Sequence, residues 1–353
     1  MDNTIYIIAP SSSPSEQLKD MIKAATSNYS ASYITKYTNR LNLKNKKLLF
    51  AIELNHIGFD FELFNFMGKL QLEGNDALFN SVGAVLVHSN NDLNTKRAAQ
   101  DIIFLANMLG CSFIGKPLIE ATGTLSNFLT WQKTLDMSLE EICTELCSRL
   151  GKRLIEFKPS VINNPKIAVL YSSPHRQSNT LDLWKMVSKN LKFADVVELQ
   201  IENGKVQDCK GCSFTLCQHY GKQNSCFYGG VMVENVLPTI EASDVVVWLC
   251  PNYNDSIAAN LTAVINRLTV LYYKMSFNDK SIYSIVVSGN SGSDSVAKQL
   301  IGALNINKGF KLPPYFALMA TANDPGAVFK IADIEERAKA FAENIKDSLS
   351  EVH

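Results

Sequence analysis

Short apolar runs alternate along this chain with stretches in which apolar residues return every three or four positions. The runs at Thr4–Ala9, Lys47–Leu54, Val82–His88, Ile167–Leu170, Asp244–Leu249, Ser281–Val287 and Tyr315–Ala320 predict strands. Those at Val82–His88, Ile167–Leu170 and Asp244–Leu249 hold too few polar residues to leave a face in water, so they read as buried on both sides. Ser32–Tyr37, with Tyr33, Thr35 and Tyr37 on one face, and Asp195–Leu199 read as further strands, and Phe113–Glu120 continues the pattern. Helical spacing covers Glu16–Ala25, Phe59–Leu70, Leu125–Leu135, Leu139–Leu150 and Val231–Glu241. A helix from Asn94 puts Ala99, Ile102, Ala106 and Leu109 on one stripe and stops at Gly110. Another opens at Asn179-Thr180 with Leu181, Trp184 and Val187, and a longer one from Ala258 carries Leu261, Ile265, Leu268 and Leu271. The closing helix shows Ile334, Ala338, Phe341, Ile345 and Leu349.

Strands that alternate with helices predict parallel sheets covered on both faces, with right-handed crossovers. The segment Lys158–Pro165, with Pro near both ends and no periodicity, reads as a linker between residues 1–157 and 166–353. The two halves echo each other. Ser81–Gly110 lies over Ser243–Tyr272, each a buried strand, a loop with Asn and Asp, and an amphipathic helix, and Thr4–Ser13 echoes Lys166–Ser173. The expected class is α/β, two doubly wound parallel sheets in tandem, the first a degenerate copy because its turn Ser11–Ser15 holds no Arg and no Ser-Asn-Thr.

The chain has 353 residues, and its 34 basic residues equal its 34 acidic ones. No basic stripe points to nucleic acid, no apolar stretch is long enough to span a membrane, and the first residues lack the basic start of a signal peptide. The expected location is the cytoplasm, where eight cysteines are thiols or metal ligands rather than disulfides. Four of them, Cys209, Cys212, Cys217 and Cys226, crowd one excursion between Asp208 and Gly230. An iron–sulfur cluster, a structural zinc ion and unligated thiols are all compatible with that spacing. Cys111, Cys143, Cys147 and Cys250 read as core residues.

In doubly wound sheets ligands sit outside the carboxyl ends of the strands, at the point where strand order reverses. The second half places three polar loops there: Ser172–Ser178, Pro251–Asn254 and Ser288–Gly292. The first delivers the chain to a helix N-terminus, where free N–H groups and the dipole favour an anion. Ser173, Ser178 and Thr180 supply hydroxyls, Asn179 an amide and Arg176 a charge. Ser, Asn and Thr are also ordinary helix caps, so this loop alone decides nothing.

Taken together, Ser172-Ser173-Pro174-His175-Arg176-Gln177-Ser178-Asn179-Thr180, Pro251-Asn252-Tyr253, and Gly289 with Gly292 resemble the motifs of the flavodoxin-like NADPH-dependent FMN reductase family, including its iron–sulfur flavoprotein branch. Ser172 stands where that family has Gly, His175 takes its Arg position with Arg176 one residue late, and Asn266-Arg267 stands where it often has Asp-Arg. The resemblance implies FMN, with the phosphate held by Ser173, Arg176, Ser178, Asn179 and Thr180. The ring would lie against Tyr253, near Pro251, Asn252, Asn254, Gly289 and Gly292. It implies an oxidoreductase that takes electrons from NAD(P)H and passes them to a small acceptor such as a quinone or a flavin. An electron carrier for a redox protein partner is the alternative, with a homo-oligomer as a further expected assembly. For Cys209, Cys212, Cys217 and Cys226 it implies an iron–sulfur cluster.

Overall fold

A strand buried on both faces needs helices above and below it, and both halves of the chain satisfy this in the same way. The computed structural model describes residues 3–39, 41–172, 178–223 and 225–350. It divides into two compact units, Met1–Lys158 and Pro159–His353.

The first unit runs β1 (Thr4–Ile8), α1 (Glu16–Thr26), β2 (Ser30–Ile34), β3 (Lys47–Leu54), α2 (Phe61–Gln71), β4 (Ser81–Ser89), α3 (Thr95–Met108), β5 (Cys111–Thr122), the single turn α4 (Leu129–Gln132) and α5 (Leu139–Glu156). Its sheet has the order β2-β1-β3-β4-β5, every pair parallel. Ser15 caps α1 by accepting from the Leu18 N–H, and Ser138 with Glu141 forms a reciprocal capping box on α5. The apolar stripes of α1 and α5 cover one face of the sheet, Leu18, Met21, Ile22 and Ala25 meeting Leu146, Cys147, Leu150 and Leu154. These helices touch backbone to backbone at Gly151, where a Cβ would lie 1.8 Å from the Ala25 carbonyl oxygen. Cys111, Cys143 and Cys147 are buried core residues.

The second unit runs β6 (Lys166–Tyr171), α6 (Asn179–Ser188), β7 (Asp195–Gln200), α7 (Phe214–Gly221), α8 (Leu237–Ala242), β8 (Val245–Pro251), α9 (Ala259–Arg267), α10 (Thr269–Tyr272), β9 (Ser281–Ser288), α11 (Ser293–Leu300), β10 (Ala317–Thr321) and α12 (Ile334–Asp347). The order is β10-β9-β8-β6-β7, again all parallel. Counted from each unit's own first strand, both sheets read 2-1-3-4-5, the flavodoxin-like order, with the switch point between the first and third strands. The chain is two tandem flavodoxin-like α/β units.

Several elements differ from the sequence expectation for local reasons. Leu125–Leu135 is a 3-10 turn, Ser126–Phe128, followed by α4, and Leu125, at a positive φ of 53°, stands ahead of both rather than in a helix. The long helix expected from Ala258 divides at Leu268 into α9 and α10. The expected Val231–Glu241 helix begins with a widened turn, Met232–Val236, ahead of α8. The segment Lys158–Pro165 is not a free tether: the Ile162 N–H donates to the Leu349 carbonyl at 2.9 Å, and Lys311 Nζ to Ser160 Oγ at 2.6 Å. The echo of Ser81–Gly110 in Ser243–Tyr272 sets β4 and α3 on β8 and α9, the fourth strand of one unit on the third of the other. It reflects a shared buried-strand and amphipathic-helix pattern, not equivalent positions. No helix among the described residues is long and apolar enough to cross a membrane.

Candidate functional site

The carboxyl edge of the second sheet gathers three loops at its switch point. After β6 comes Ser172, buried, whose Oγ has no hydrogen-bond partner among the described residues. Ser173 and Arg176, with His175, lie outside the described residues. Ser178 holds the cap position of α6 in extended geometry, but its hydroxyl makes no capping bond. That hydroxyl and the N–H groups of the first turn stay available to a ligand. Thr180 is buried in that turn. Asn179 is committed elsewhere: its Nδ2 donates to the carbonyls of Ala322 (3.0 Å) and Asp324 (2.9 Å), and its Oδ1 accepts from the Val328 N–H. Its side chain ties α6 to the segment after β10, so it is a brace for this edge rather than the phosphate contact the sequence implies.

The second loop leaves β8 at Pro251 and doubles back as a tight turn. Asn254 and Asp255 both take positive φ, 53° and 55°, and Tyr253 pairs with Ser256 across them. Two successive left-handed residues make this a hairpin turn of type I′, a geometry that Asn and Asp tolerate. It lifts Tyr253 into solvent, 52% exposed, at the rim of the edge. Behind it, Asn252 Nδ2 donates to Asp255 Oδ1 (3.1 Å), Ser288 Oγ (3.0 Å) and the Ser291 carbonyl (3.4 Å). With its amide nitrogen spent on three acceptors, Asn252 keeps a buried Oδ1 with no donor among the described residues.

The third loop follows β9. Gly292 starts α11 at φ 95°, and a Cβ there would fall 2.0 Å from Asp255 Oδ1 and 3.0 Å from Asn252 Nδ2. Only a residue without a side chain allows the third loop to press against the second. At Gly289 a Cβ would stand 2.8 Å from Asn323 Oδ1, so that glycine admits the segment after β10. Ser288 links to Ser293 Oγ at 2.7 Å and completes the network around Asn252.

Residues 165–324 match the NADPH-dependent FMN reductase family. Three solved structures similar to the chain carry flavodoxin-type or reductase names. An NAD(P)H:quinone oxidoreductase from Methanothermobacter marburgensis is 14% identical over 54% of this chain and 100% of its own, with a TM-score of 0.41. An azoreductase from Bacillus anthracis str. Sterne is 14% identical, covering 52% of this chain and 99% of its own, with a TM-score of 0.35. A flavodoxin, WrbA-like protein from Agrobacterium tumefaciens is 14% identical, covering 52% and 97%, with a TM-score of 0.35. No curated protein matches the chain.

Within the reductase-family segment, the cysteine loop packs along α9. Asn260 Nδ2 donates to the Ile201 carbonyl where the loop begins, Asn266 Nδ2 to Asp208 Oδ1 (2.8 Å), and Arg267 to the carbonyls of Gln207 and Gly229. Cys209, Cys212, Cys217 and Cys226 line one cavity of about 320 Å³. Burial and the three neighbouring thiols push the Cys217 thiol up, and the Tyr273 hydroxyl bonded to it pulls the other way. The four sulfurs share one space without converging: no group of three or more His, Cys, Asp or Glu stands close enough to hold an ion among the described residues. Cys250, at the end of β8, is buried beside Ser284, and burial pushes its thiol up to about 12, so it stays protonated and is no nucleophile.

The structure adds functional candidates beyond the residues assigned from the sequence. Ser288, Ser293 and Asp255 sit in the Asn252 network, and Ser172, already noted at the family's glycine position, adds a buried hydroxyl. Ser172 and Ser288 each follow a buried apolar strand, which is a legible signal. Asp255 and Ser293 enter through turn geometry and carry none.

Proposed function

We propose that the second unit is a flavin-dependent oxidoreductase that binds FMN at this edge, takes hydride from NAD(P)H and reduces a small acceptor of the quinone or flavin type. The observation that supports it is a pair of buried polar atoms with no partner among the described residues, the hydroxyl of Ser172 and the carbonyl oxygen of Asn252, each just past the end of one of the neighbouring strands β6 and β8. Buried polar groups without partners are rare. A ligand that offers an oxygen to the first and an N–H to the second satisfies both, and FMN, with phosphate and ribityl oxygens and a ring imide, has that chemistry. Ser178, Thr180 and the first turn of α6 then hold the dianion. Asn252 and its serine partners fix the ring edge, and Tyr253 covers the rim. FMN, when bound, supplies the hydride acceptor; the protein orients it and excludes water.

The cysteine cavity favours a second reading, in which the unit passes electrons from the flavin through a thiolate-held centre to a redox protein. The observation behind it is four thiols lining one cavity, but as arranged they do not converge on an ion among the described residues, so this reading ranks second. An absorption spectrum of the full chain purified without oxygen separates the readings. Flavin bands that bleach on adding NAD(P)H support the enzyme, and a broad iron–sulfur shoulder with slow bleaching supports the carrier. Absence of any chromophore after incubation with FMN sinks both.

The phosphate end has its own test. A hydrogen bond to a charged group is worth roughly 1.5–3 kcal/mol, so Ser178→Ala with Thr180→Ala is expected to weaken FMN binding about tenfold to a hundredfold. Fluorescence titration of FMN reads it. An unchanged dissociation constant in the folded double variant removes these residues from the phosphate site.

A further inference from the structure

The cavity beside α9 is lined by charge of one sign only. Arg267 is 4% exposed, its two Nη atoms donate to the carbonyls of Gln207 (3.3 Å) and Gly229 (3.1 Å), and its buried Nε has no acceptor among the described residues. Lys210 belongs to the same lining, and no Asp or Glu does. Asp208, next to Gln207 in the chain, is engaged by the Asn266 amide and the Cys209 N–H. Burial and its neighbours push the Cys217 thiol up, so it does not supply the missing anion at neutral pH. A guanidinium held this far from water with an open donor calls for an acceptor, and an anionic one satisfies it best. The rest of the lining is flat and apolar. Phe214 meets Tyr273 edge to face with centroids 5.9 Å apart, and Tyr220 meets Phe227 in the same way at 5.6 Å. Phe214 and Phe227 are 66% and 58% exposed, large apolar faces left in water. At about 320 Å³ the cavity falls in the range of small-molecule sites, roughly 300–1,000 Å³. It is also set back from the carboxyl edge. About two turns of α9, roughly 10 Å, separate Arg267 from Asn260, which bonds the Ile201 carbonyl just past β7.

We propose that this cavity is a second small-molecule site, which takes an aromatic carboxylate separately from the flavin edge. The ring lies among Phe214, Tyr220, Phe227 and Tyr273. One carboxylate oxygen accepts from Arg267 Nε, and Lys210 attracts the charge from the rim. The carbonyls of Gln207 and Gly229 fix the guanidinium from both stems of the loop, so its open N–H is aimed before the ligand arrives and little ordering is left to binding. Thiols that stay apart suit this occupant, because an unligated cysteine behaves as a small, polarizable apolar wall. A neutral aromatic molecule leaves the buried charge uncompensated, so the site discriminates against it. The site stands or falls independently of the flavin reading.

The test is calorimetric titration of the reduced full-length chain with naphthoate and with naphthamide, its neutral counterpart. Wild type is expected to bind naphthoate about tenfold or more tightly than the amide, the difference made by a hydrogen bond between charged groups. Arg267→Gln, which keeps a donor for the stem carbonyls but no charge, is expected to lose that preference and bind the two within about threefold. Phe214→Ala, a change at an exposed ring, is expected to weaken both ligands about threefold to tenfold and keep the preference. Saturating FMN is expected to leave naphthoate binding unchanged. No binding of naphthoate to wild type, or equal affinity for the acid and the amide, overturns the proposal without any variant. A preference that persists in Arg267→Gln, or unchanged affinities in Phe214→Ala, overturns the assigned site. Displacement of naphthoate by FMN puts the acid at the flavin edge and overturns the second site while leaving the flavin reading intact.

Discussion

Gly292→Ala is expected to lower the melting temperature of the second unit by roughly 5–10 °C and to weaken FMN binding at least about tenfold. Two costs add. A side chain at φ 95° is strained by about 1–3 kcal/mol. The new Cβ would also meet Asp255 Oδ1 at 2.0 Å and Asn252 Nδ2 at 3.0 Å. Asp255 has little room to retreat, because it sits in the left-handed turn and accepts from Asn252. Relief therefore moves the third loop off the second and turns Asn252 away from Ser288. At about 2–4 °C per kcal/mol for a unit of this size, the sum gives the stated shift. Asp255→Ala in the Gly292→Ala background removes the overlap but not the backbone strain, so it should restore part of the loss. A Gly292→Ala protein with wild-type melting and wild-type FMN affinity would refute the packing of these two loops.

The same glycine shows where the sequence stops informing. The buried strands were legible because a parallel strand covered on both faces has almost no polar residues, as in Ile167–Leu170 and Val245–Leu249, and that composition is local. The edge strand β7 was legible only from its spacing, since most of its residues are exposed and none is buried. Helix α11 escaped the reading, because Ser293–Leu300 is short, with only Val296, Ala297 and Leu300 apolar, and then runs into a widened turn, Ile301–Lys308, that blurs the stripe. At the site, the three loops could be placed at one edge from strand order alone. Their mutual contacts could not. Asn179 fits a phosphate motif by position, yet its amide is spent on Ala322 and Asp324, residues more than a hundred positions away. The network of Asn252, Asp255 and Ser288 depends on a turn whose two left-handed residues have no signature beyond Asn-Asp. The tandem echo misled in a different way, matching a fourth strand to a third because any buried strand followed by an amphipathic helix resembles any other.

Glu53→Ala is expected to destabilise the first unit by about 3 kcal/mol, the cost of breaking a buried, hydrogen-bonded pair from one side. The corresponding carboxyl edge of that unit is filled by its own side chains. Glu53 on β3 accepts from the Ser15 N–H (2.9 Å), the Ser15 hydroxyl (2.7 Å) and His88 Nδ1 (2.6 Å), while Glu62 accepts from the Ser12 N–H. A carboxylate can only accept, so the proton on this histidine lies on Nδ1. The anion that a helix N-terminus favours is thus already supplied to α1 by the chain itself, where the second unit leaves the Ser178 hydroxyl unused. Burial pushes the Glu53 carboxyl up, but the bonds from His88 and Ser15 together outweigh it and hold the group below its ordinary 4.5. A carboxyl depressed in the folded state adds stability that is complete above 4.5 and is lost as the pH falls through the lower, folded value. The first unit should therefore lose this contribution in acid, and Glu53→Gln should flatten that part of its pH dependence. Amide hydrogen exchange in β1, β3 and β4, followed against pH, reads the first unit separately from the second. Protection of these strands that is the same in wild type and Glu53→Ala at neutral pH would show that the carboxylate is not what holds this edge together.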